Sequence, residues 1–229
     1  MRTAFKYIVS RTYRPLLEKY LTKSRVYFYR GVKISVTAGV FHPGFFTSTK
    51  MLWRQIRKLA IEGKSLLELG AGSGLISVSA AKQGARVTST DINPAAIRCL
   101  EINRLQNEVE LNIIRSDLFR NIPKQNFDII AINPPYYKKT PQSMADYAWF
   151  CGENGEYFEQ LFNDLGDYIH HNSTVLMVLC DGCDLDMIMA LASRHGFLCN
   201  CVLSQQNLLE TNFIFKIERA HESHFSRYL

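Results

Sequence analysis

The 229-residue sequence has no long uninterrupted apolar segment, no low-complexity stretch and no obvious repeat. Without a long apolar segment, no membrane-spanning helix is expected. The Arg-rich start, from Arg2 to Arg14, lacks the apolar region of a secretory signal and runs into patterned sequence. We therefore interpret this start as part of the folded protein and expect a cytoplasmic setting. The length suits one domain with a sizeable core.

Acidic residues are scarce in the first part of the chain. Residues 1–64 contain 14 Lys or Arg but only Glu18 and Glu62, a charge of +12, so the remainder carries 6 − 12 = −6. The basic residues here alternate with aromatic residues, a pattern that favours an anionic partner such as nucleic acid or the ribosome. A solvated basic face without a partner is the alternative.

The six cysteines include two closely spaced pairs, Cys180-x-x-Cys183 and Cys199-x-Cys201. Their spacing allows a four-thiolate metal site. Cys180, Cys199 and Cys201 fall in or at the end of apolar strands, however, where thiols are often small core residues. We therefore expect packing and no metal, with the metal site as the alternative.

The most informative stretch is residues 129–132, a short apolar run, followed by Asn133-Pro134-Pro135-Tyr136. The apolar run indicates a buried parallel strand. The strand cannot continue through two prolines, so the chain must leave the sheet at its carboxyl edge, where open α/β sheets place their ligands. Asn133 is therefore held at this edge by a stiff backbone.

Such a position suits chemistry on a planar nitrogen. If Asn133 Oδ1 and the Pro134 carbonyl each accept one N–H, they orient the nitrogen and stabilise its developing positive charge. Tyr136 would stack on the planar group. Taken alone, the tetrapeptide is equally compatible with an ordinary strand followed by a proline-rich turn.

A buried strand over residues 64–69 is followed by a glycine-rich turn with Gly70, Gly72 and Gly74, and then by a helix. The glycines allow a sharp bend and let a ligand approach main-chain amides. The spacing is G-x-G-x-G, unlike the G-x-G-x-x-G of dinucleotide binders, and Glu68 precedes the first glycine. A carboxylate there would repel a pyrophosphate and attract a cation.

Two further predicted strands also end in acids. Arg86 to Asp91 forms the second strand, and Asp91 lies where a carboxylate binds a ribose diol in doubly wound folds. The third strand begins at Asn112 and leads to Asp117, which is placed to accept the amino group of an adenine. Helix capping by Asp91 and a turn at Asp117 are the alternatives.

Together these four strand ends resemble those of class I S-adenosylmethionine-dependent methyltransferases, and the Asn-Pro-Pro-Tyr motif is similar to that of members that methylate planar nitrogens. The resemblance implies an α/β fold, a Rossmann-like seven-stranded, mostly parallel sheet with an antiparallel last strand. It implies S-adenosyl-L-methionine as cofactor and no metal. The implied cofactor contacts are Glu68, Gly70, Ala71, Gly72, Gly74, Asp91, Ile92, Asp117, Leu118 and Asn133. The implied catalytic residues are Asn133, Pro134 and Tyr136, and the implied substrate contacts are Phe46, Pro135, Tyr136 and Tyr137.

Residues 1–38 are expected to be a short N-terminal extension or lid, and residues 39–229 the methyltransferase domain. The segment from Val40 to Thr49 also resembles the one ahead of the glycine loop in release-factor glutamine methyltransferases, which typically carry Arg-Pro-Glu-Thr there. We expect methylation of an exocyclic base amine of RNA. The alternatives are a glutamine amide of a protein such as a translation release factor, or a non-catalytic nucleoside-binding module.

The remaining sequence predicts elements around this framework. Two short strands are expected to turn at Arg30-Gly31, and residues 137–149 are expected to form a substrate-contacting loop. Thr47, Ser48 or Thr49 is expected to cap a helix. The predicted helices cover residues 12–20, 50–60, 93–104, 155–171 and 185–195. The later predicted strands cover residues 173–180, 197–204 and 211–218, the last two forming an antiparallel pair.

Overall fold

The computed structural model describes residues 23–44, 47–207 and 210–220. The strands in these ranges are β1 (Arg25–Tyr29), β2 (Val32–Val36), β3 (Ser65–Leu69), β4 (Arg86–Asp91), β5 (Leu111–Arg115), β6 (Phe127–Ile132), β7 (Ile169–Cys180), β8 (Phe197–Gln206) and β9 (Thr211–Arg219). The helices are α1 (Thr47–Ile56), α2 (Leu75–Ala81), α3 (Pro94–Gln106), α4 (Glu156–Leu165) and α5 (Leu185–Arg194). Short 3-10 turns cover Asp146–Ala148 and Gly166–Tyr168.

Seven of these strands form one sheet in the order β5-β4-β3-β6-β7-β9-β8. Strands β5, β4, β3, β6 and β7 are parallel, whereas β9 runs antiparallel between β7 and β8. The predicted Rossmann-like sheet with an antiparallel last strand is confirmed. The chain proceeds outward from β3 to β5 and then returns to β6 on the other side of β3. Open α/β sheets bind ligands where the strand order reverses in this way, outside the carboxyl ends of the strands.

Helices cover both faces of the sheet. On one face, α4 and α5 bury Phe158, Phe162 and Ile188 against the strands. On the other face, α1 and α2 bury Leu52 and Ile76. Strand β6 lies between the two layers and is buried from residue 129 to residue 132. This double coverage explains its continuous apolar sequence.

Strands β1 and β2 form a separate antiparallel hairpin. Its turn falls at Arg30-Gly31, as predicted, and both residues have the positive φ angles (47° and 80°) that tight hairpin turns use. Its inner side chains, including Ile34, pack against residues of α2 and α3. The hairpin is therefore anchored to the helical layer next to the sheet.

Two predicted helices have wrong boundaries. Helix α1 begins at Thr47 and ends at Ile56, not at residues 50 and 60. The three hydroxyl residues expected to cap it therefore lie in its first turn, and Thr49 accepts a side-chain hydrogen bond from the end of β6 instead.

The helix predicted to reach residue 171 ends at Leu165, because Ile169 already pairs with Phe127 in the sheet. The helix predicted over residues 12–20 lies outside the described residues. No helix in the described ranges is long and apolar enough to cross a membrane.

Candidate active site

The carboxyl ends of β3, β4, β5 and β6 open into one cleft. Most of the residues singled out from the sequence line it: Glu68, Gly70, Ala71, Gly72, Asp91, Ile92, Asp117, Leu118, Asn133, Pro134, Pro135 and Tyr136. Gly74 and Tyr137 are not part of the lining. Phe46 lies outside the described residues, so its predicted substrate contact stays a prediction.

The turn after β3 forms the floor of the cleft. Gly70 has a φ angle of 68°, and a Cβ atom there would meet nothing within 4 Å, so the turn leaves open space above it. Gly74 precedes α2 with a φ of 78°, and a Cβ there would lie 2.5 Å from Leu100 Cδ2. Gly74 therefore lets the turn pack closely on α3, behind the cleft wall.

Glu68 is a buried carboxyl group at the end of β3, with 5% of its surface exposed. Its Oε2 atom accepts hydrogen bonds from the Ser77 amide at 2.8 Å and from the Ser77 hydroxyl. Burial raises the pKa of Glu68 to about 7, with a smaller contribution from the charge of Asp91, although the Ser77 hydrogen bonds oppose the shift. A cation bound in the cleft would favour the ionised form of this carboxyl.

Asp91 ends β4 and fixes the glycine turn from the other side. Its Oδ2 atom accepts a hydrogen bond from the Gly72 amide, and its Oδ1 atom accepts one from the Asn93 amide, each at 2.8 Å. Burial raises the pKa of this carboxyl, while these amides lower it. The two acidic strand ends therefore lie on either side of one turn.

Asp117 and Leu118 follow β5. Leu118 is buried and has a φ of 46°, an uncommon conformation for a leucine. Asp117 has an exposed side chain at the edge of the cleft. The tight turn at Leu118 therefore brings both residues of this strand end into the lining.

The Asn-Pro-Pro-Tyr segment forms the opposite wall. Asn133 Nδ2 donates a hydrogen bond to Thr49 Oγ1 at 3.1 Å. Pro134 is buried, and Pro135 and Tyr136 are half-buried. Burial raises the pKa of the Tyr136 phenol, and the nearby Cys180 thiol raises it further, so Tyr136 is neutral at physiological pH.

The loop after this segment folds back over it. The main-chain carbonyl of Trp149 accepts hydrogen bonds from the amides of Tyr136 at 3.2 Å and Tyr137 at 2.9 Å. The Trp149 ring lies 5.6 Å from the Phe41 ring, centroid to centroid. Tyr137 is 43% exposed and packs against Tyr136 outside the cleft.

Several residues that sequence reasoning did not single out for the site also line the cleft. These include Phe41, Ser48, Thr49 and Tyr157. Tyr147 and Trp149 also line the cleft, and they belong to the loop over residues 137–149 that the sequence predicted to contact substrate. Tyr157 is close enough to Asp91 and Asp117 that, after burial, their charges raise the pKa of its phenol. For Phe41 and Tyr157 the sequence signal was the aromatic content of the segments before and after the motif, and Ser48 and Thr49 were expected only as helix caps.

The paired cysteines lie apart from the glycine turn. Cys180 and Cys183 face each other with 3.8 Å between sulfur atoms, and Cys199 and Cys201 lie on the edge strand β8. Across residues 23–44, 47–207 and 210–220, no group of three or more His, Cys, Asp or Glu side chains is placed to hold a metal ion.

The cleft fits S-adenosylmethionine. A buried carboxyl with a pKa raised to about 7 lies at one end, where it would pair with the amino group of the methionine part. The turn at Gly70 leaves room for close approach. Asp91 and Asp117 follow along the strand ends, in the order expected for a ribose and a base. Fold and site thus define a class I methyltransferase.

A family model described as the methyltransferase small domain matches residues 31–151, more than half of the chain. The chain belongs to this family, and it is an S-adenosylmethionine-dependent N-methyltransferase.

Similar proteins are consistent with this assignment. The chain is 30% identical over 151 residues to a putative protein N5-glutamine methyltransferase of Methanocaldococcus jannaschii, covering 63% of this chain and 74% of that protein. It is 34% identical over 147 residues to a release factor glutamine methyltransferase of Fusobacterium nucleatum subsp. nucleatum, covering 61% of this chain and 40% of that protein. The chain therefore spans less than half the length of the second relative.

Solved structures share the fold. A T. thermophilus 16S rRNA N2-guanosine methyltransferase, in complex with AdoMet and guanosine, superposes with a TM-score of 0.62 at 16% identity. The match covers 85% of this chain and 50% of that chain.

Proposed function

We propose that this enzyme methylates a planar primary nitrogen held between Asn133 Oδ1 and the main-chain carbonyl of Pro134. The proposal rests on the hydrogen bonding of the Asn133 side-chain amide, which uses its nitrogen and leaves its oxygen for a substrate. Its Nδ2 atom donates to Thr49, and among the described residues nothing donates to its Oδ1 atom. The carbonyl end is thus the part of the amide available to a substrate N–H, on the wall facing the proposed cofactor turn.

Two neutral acceptors are what this chemistry needs from the protein. The lone pair of an amide or aromatic amine is delocalised, so the nitrogen is a weak nucleophile whose positive charge grows during attack. Carbonyl oxygens fixed on both N–H bonds stabilise that charge and aim the lone pair. Bound S-adenosylmethionine supplies an electrophilic methyl group on a sulfonium. Neither carbonyl takes a proton, so the extra proton leaves to solvent after transfer.

The first candidate for the substrate is RNA, with an exocyclic base amine as the methylated group. Aromatic side chains, Tyr136, Tyr147 and Trp149, line the opening of the cleft, and exposed Tyr137 adjoins it. Unpaired bases are recognised by stacking on such rings. The rRNA methyltransferase of T. thermophilus, which shares the fold, was solved with guanosine. Of the basic N-terminal part predicted to attract an anionic partner, residues 1–22 and 45–46 lie outside the described residues.

A glutamine amide of a translation-related protein is the second candidate, and the named relatives favour it. Two of them are described as glutamine methyltransferases, one putatively. A carboxamide is planar and carries two N–H groups, as an exocyclic amine does, so the same two acceptors would serve it.

Labelling of cell extract tests whether the substrate is RNA or protein. Extract from cells lacking the gene would be incubated with purified protein and methyl-labelled S-adenosylmethionine, then treated with RNase, DNase or protease. Loss of label on RNase treatment supports an RNA base, and loss only on protease treatment supports the amide. Release of label only by DNase would contradict both the RNA and the protein substrate. Absence of label in every fraction would contradict the proposed methylation itself.

Substitution of Asn133 tests the site. We expect Asn133→Ala to lower the methylation rate by on the order of 10³-fold, because the substrate loses a fixed acceptor for developing charge. Equilibrium binding of labelled cofactor should change by no more than about 2-fold, since the carboxylates and glycine turn are intact. A variant that keeps the wild-type rate would exclude Asn133 from the reaction.

A further inference from the structure

We infer that Thr49 is a positioning residue whose hydroxyl holds the Asn133 side chain in place at the wall of the cleft. This inference rests on the proposed role of Asn133 and adds a residue that the sequence motif does not contain. Thr49 Oγ1 accepts the hydrogen bond of Asn133 Nδ2 at 3.1 Å, between residues 84 positions apart in sequence. Thr49 is 7% exposed, so water has little access to replace this bond.

With its nitrogen bound to Thr49, the Asn133 amide leaves its carbonyl end for the substrate, and the two ends of an asparagine amide are chemically opposite. A half-turn about the terminal bond exchanges the carbonyl oxygen for an NH2 group with almost no change in shape. In the observed orientation, Asn133 offers an acceptor to the substrate nitrogen. In the reversed orientation it would offer N–H groups to the N–H groups of the substrate, and the proposed stabilisation of charge would be lost.

Helix α1 gives Thr49 a fixed position. In the same turn, Thr47 Oγ1 accepts hydrogen bonds from Asn212 Nδ2 at 3.2 Å and from Asn207 Nδ2 at 3.3 Å. Behind this turn, Leu52 and Trp53 are buried against the sheet. The first turn of α1 is therefore anchored independently of Asn133, so it can serve as a rigid support for the reacting group.

This arrangement gives the Thr-Ser-Thr sequence a function that a simple helix cap does not explain. Thr47 holds α1 to the start of β9 and the loop before it, and Thr49 holds the residue after β6. The two threonines make equivalent bonds, but only Thr49 reaches the proposed reacting site. They therefore form a matched pair for substitution.

The test compares Thr49→Val, Thr49→Ser and Thr47→Val. Valine keeps the shape of threonine but has no hydroxyl, and serine keeps the hydroxyl. We expect Thr49→Val to lower the rate at saturating substrate 10- to 100-fold, the loss typical of a misplaced reacting group, with cofactor affinity within about 2-fold of wild type. Thr49→Ser should recover most of the rate, and Thr47→Val should stay within about 3-fold of wild type.

Initial rates would be measured against dilutions of whichever cell fraction the wild-type enzyme labels, at saturating cofactor. Separate equilibrium binding of labelled cofactor reports whether each variant is folded. A rate loss in Thr49→Val without recovery in Thr49→Ser, an equal loss in Thr47→Val, or a wild-type rate in Thr49→Val would each overturn the inference. If Thr49→Val does not bind cofactor, Thr49→Cys, with a weakly accepting side chain, takes its place.

Different results would contradict the proposed function itself. If the wild-type enzyme labels nothing, or if Asn133→Ala retains the wild-type rate, the role of Asn133 itself is wrong. If Asn133→Ala is inactive while Thr49→Val equals wild type, the reaction stands and only the positioning role of Thr49 is excluded.

Discussion

The part of the cleft around Glu68, Gly72 and Asp91 is built from the buried carboxyl group of Glu68, the half-buried carboxyl group of Asp91 and main-chain amides, whereas the part around Asn133 and Trp149 is built from side chains of distant segments. We call the first, where we propose that the cofactor binds, the cofactor side, and the second, where we propose that the substrate binds, the target side. The cofactor side lies within 24 residues of sequence, from Glu68 to Asp91, and its hydrogen bonds link the ends of adjacent parallel strands. The target side depends on α1, on the end of β6 and on the loop that follows it.

Because of this difference, substitutions on the two sides should affect different properties of the enzyme. The cofactor side is fixed by the geometry of the sheet, because Asp91 also binds the Gly72 amide of the glycine turn and Glu68 binds Ser77 in α2. The target side presents aromatic rings from loops, and loops on a rigid scaffold vary without cost to the fold. Variants of the two sides should therefore have separable effects on cofactor affinity and on substrate use.

Asp91 should give the largest effect on the cofactor side. We expect Asp91→Asn to raise the dissociation constant of S-adenosylmethionine 10- to 100-fold, because a charged acceptor for the ribose hydroxyls becomes a neutral amide. Isothermal titration calorimetry would measure the change. Asp128→Asn is the control, since Asp128 is a carboxylate at the amino end of the same sheet, bonded to Ser65. Equal loss of affinity in both variants would show a general structural effect.

Glu68 should make cofactor binding depend on pH. Its carboxyl group has a pKa of about 7 in the folded protein, so it loses its proton between pH 6 and 8. If the ionised form pairs with the amino group of the cofactor, affinity should rise by up to about 10-fold over this range. Glu68→Gln should bind weakly at both pH values. Persistence of the full pH dependence in Glu68→Gln would assign it to another group.

The same carboxyl should oppose stability at high pH. Its folded-state pKa of about 7 lies above the ordinary value of 4.5, so the folded protein holds this proton more tightly than the unfolded chain. The contribution of Glu68 to the free energy of unfolding therefore falls as pH rises from 4.5 to 7, and stays low above 7. Urea unfolding at pH 8 should show Glu68→Gln to be more stable than wild type by ~1–3 kcal/mol, with a smaller difference at pH 5.

Sequence reasoning predicts the cofactor side well because its signals are local. The strand from Arg86 to Asp91 has the predicted bounds, and the glycine turn follows β3 directly. A buried parallel strand, a turn and a terminal acid each leave a pattern within a few residues. The motif at Asn133 is local in the same sense.

The partners of Asn133 could not be predicted in this way. Thr49 lies 84 positions away, and its hydroxyl is equally compatible with a helix cap until the start of α1 is known. Tyr157 enters the cleft through tertiary folding of α4, whereas Trp149 belongs to the loop that the sequence predicted to contact substrate. Contacts such as those of Thr49 and Tyr157 leave no periodicity in the sequence, so this part of the target side required the structure.

Trp149 should give the smallest effect, confined to the target side. Its main-chain carbonyl holds the amides of Tyr136 and Tyr137, and substitution leaves that carbonyl in place. Trp149→Ala removes only the ring that packs on Phe41 at the opening of the cleft. We expect KM for the substrate to rise about 3- to 10-fold, the cost of one aromatic contact, with smaller changes in kcat.

Trp149→Phe is the conservative comparison, because it keeps a ring against Phe41 and should restore most of the affinity for substrate. Cofactor binding by both variants decides whether the two sides are independent. If Trp149→Ala weakens S-adenosylmethionine binding as much as it raises KM, the Trp149 ring belongs to both sides. The cleft would then have to be described as one coupled unit, because a ring from the target side would also be contributing to the cofactor site.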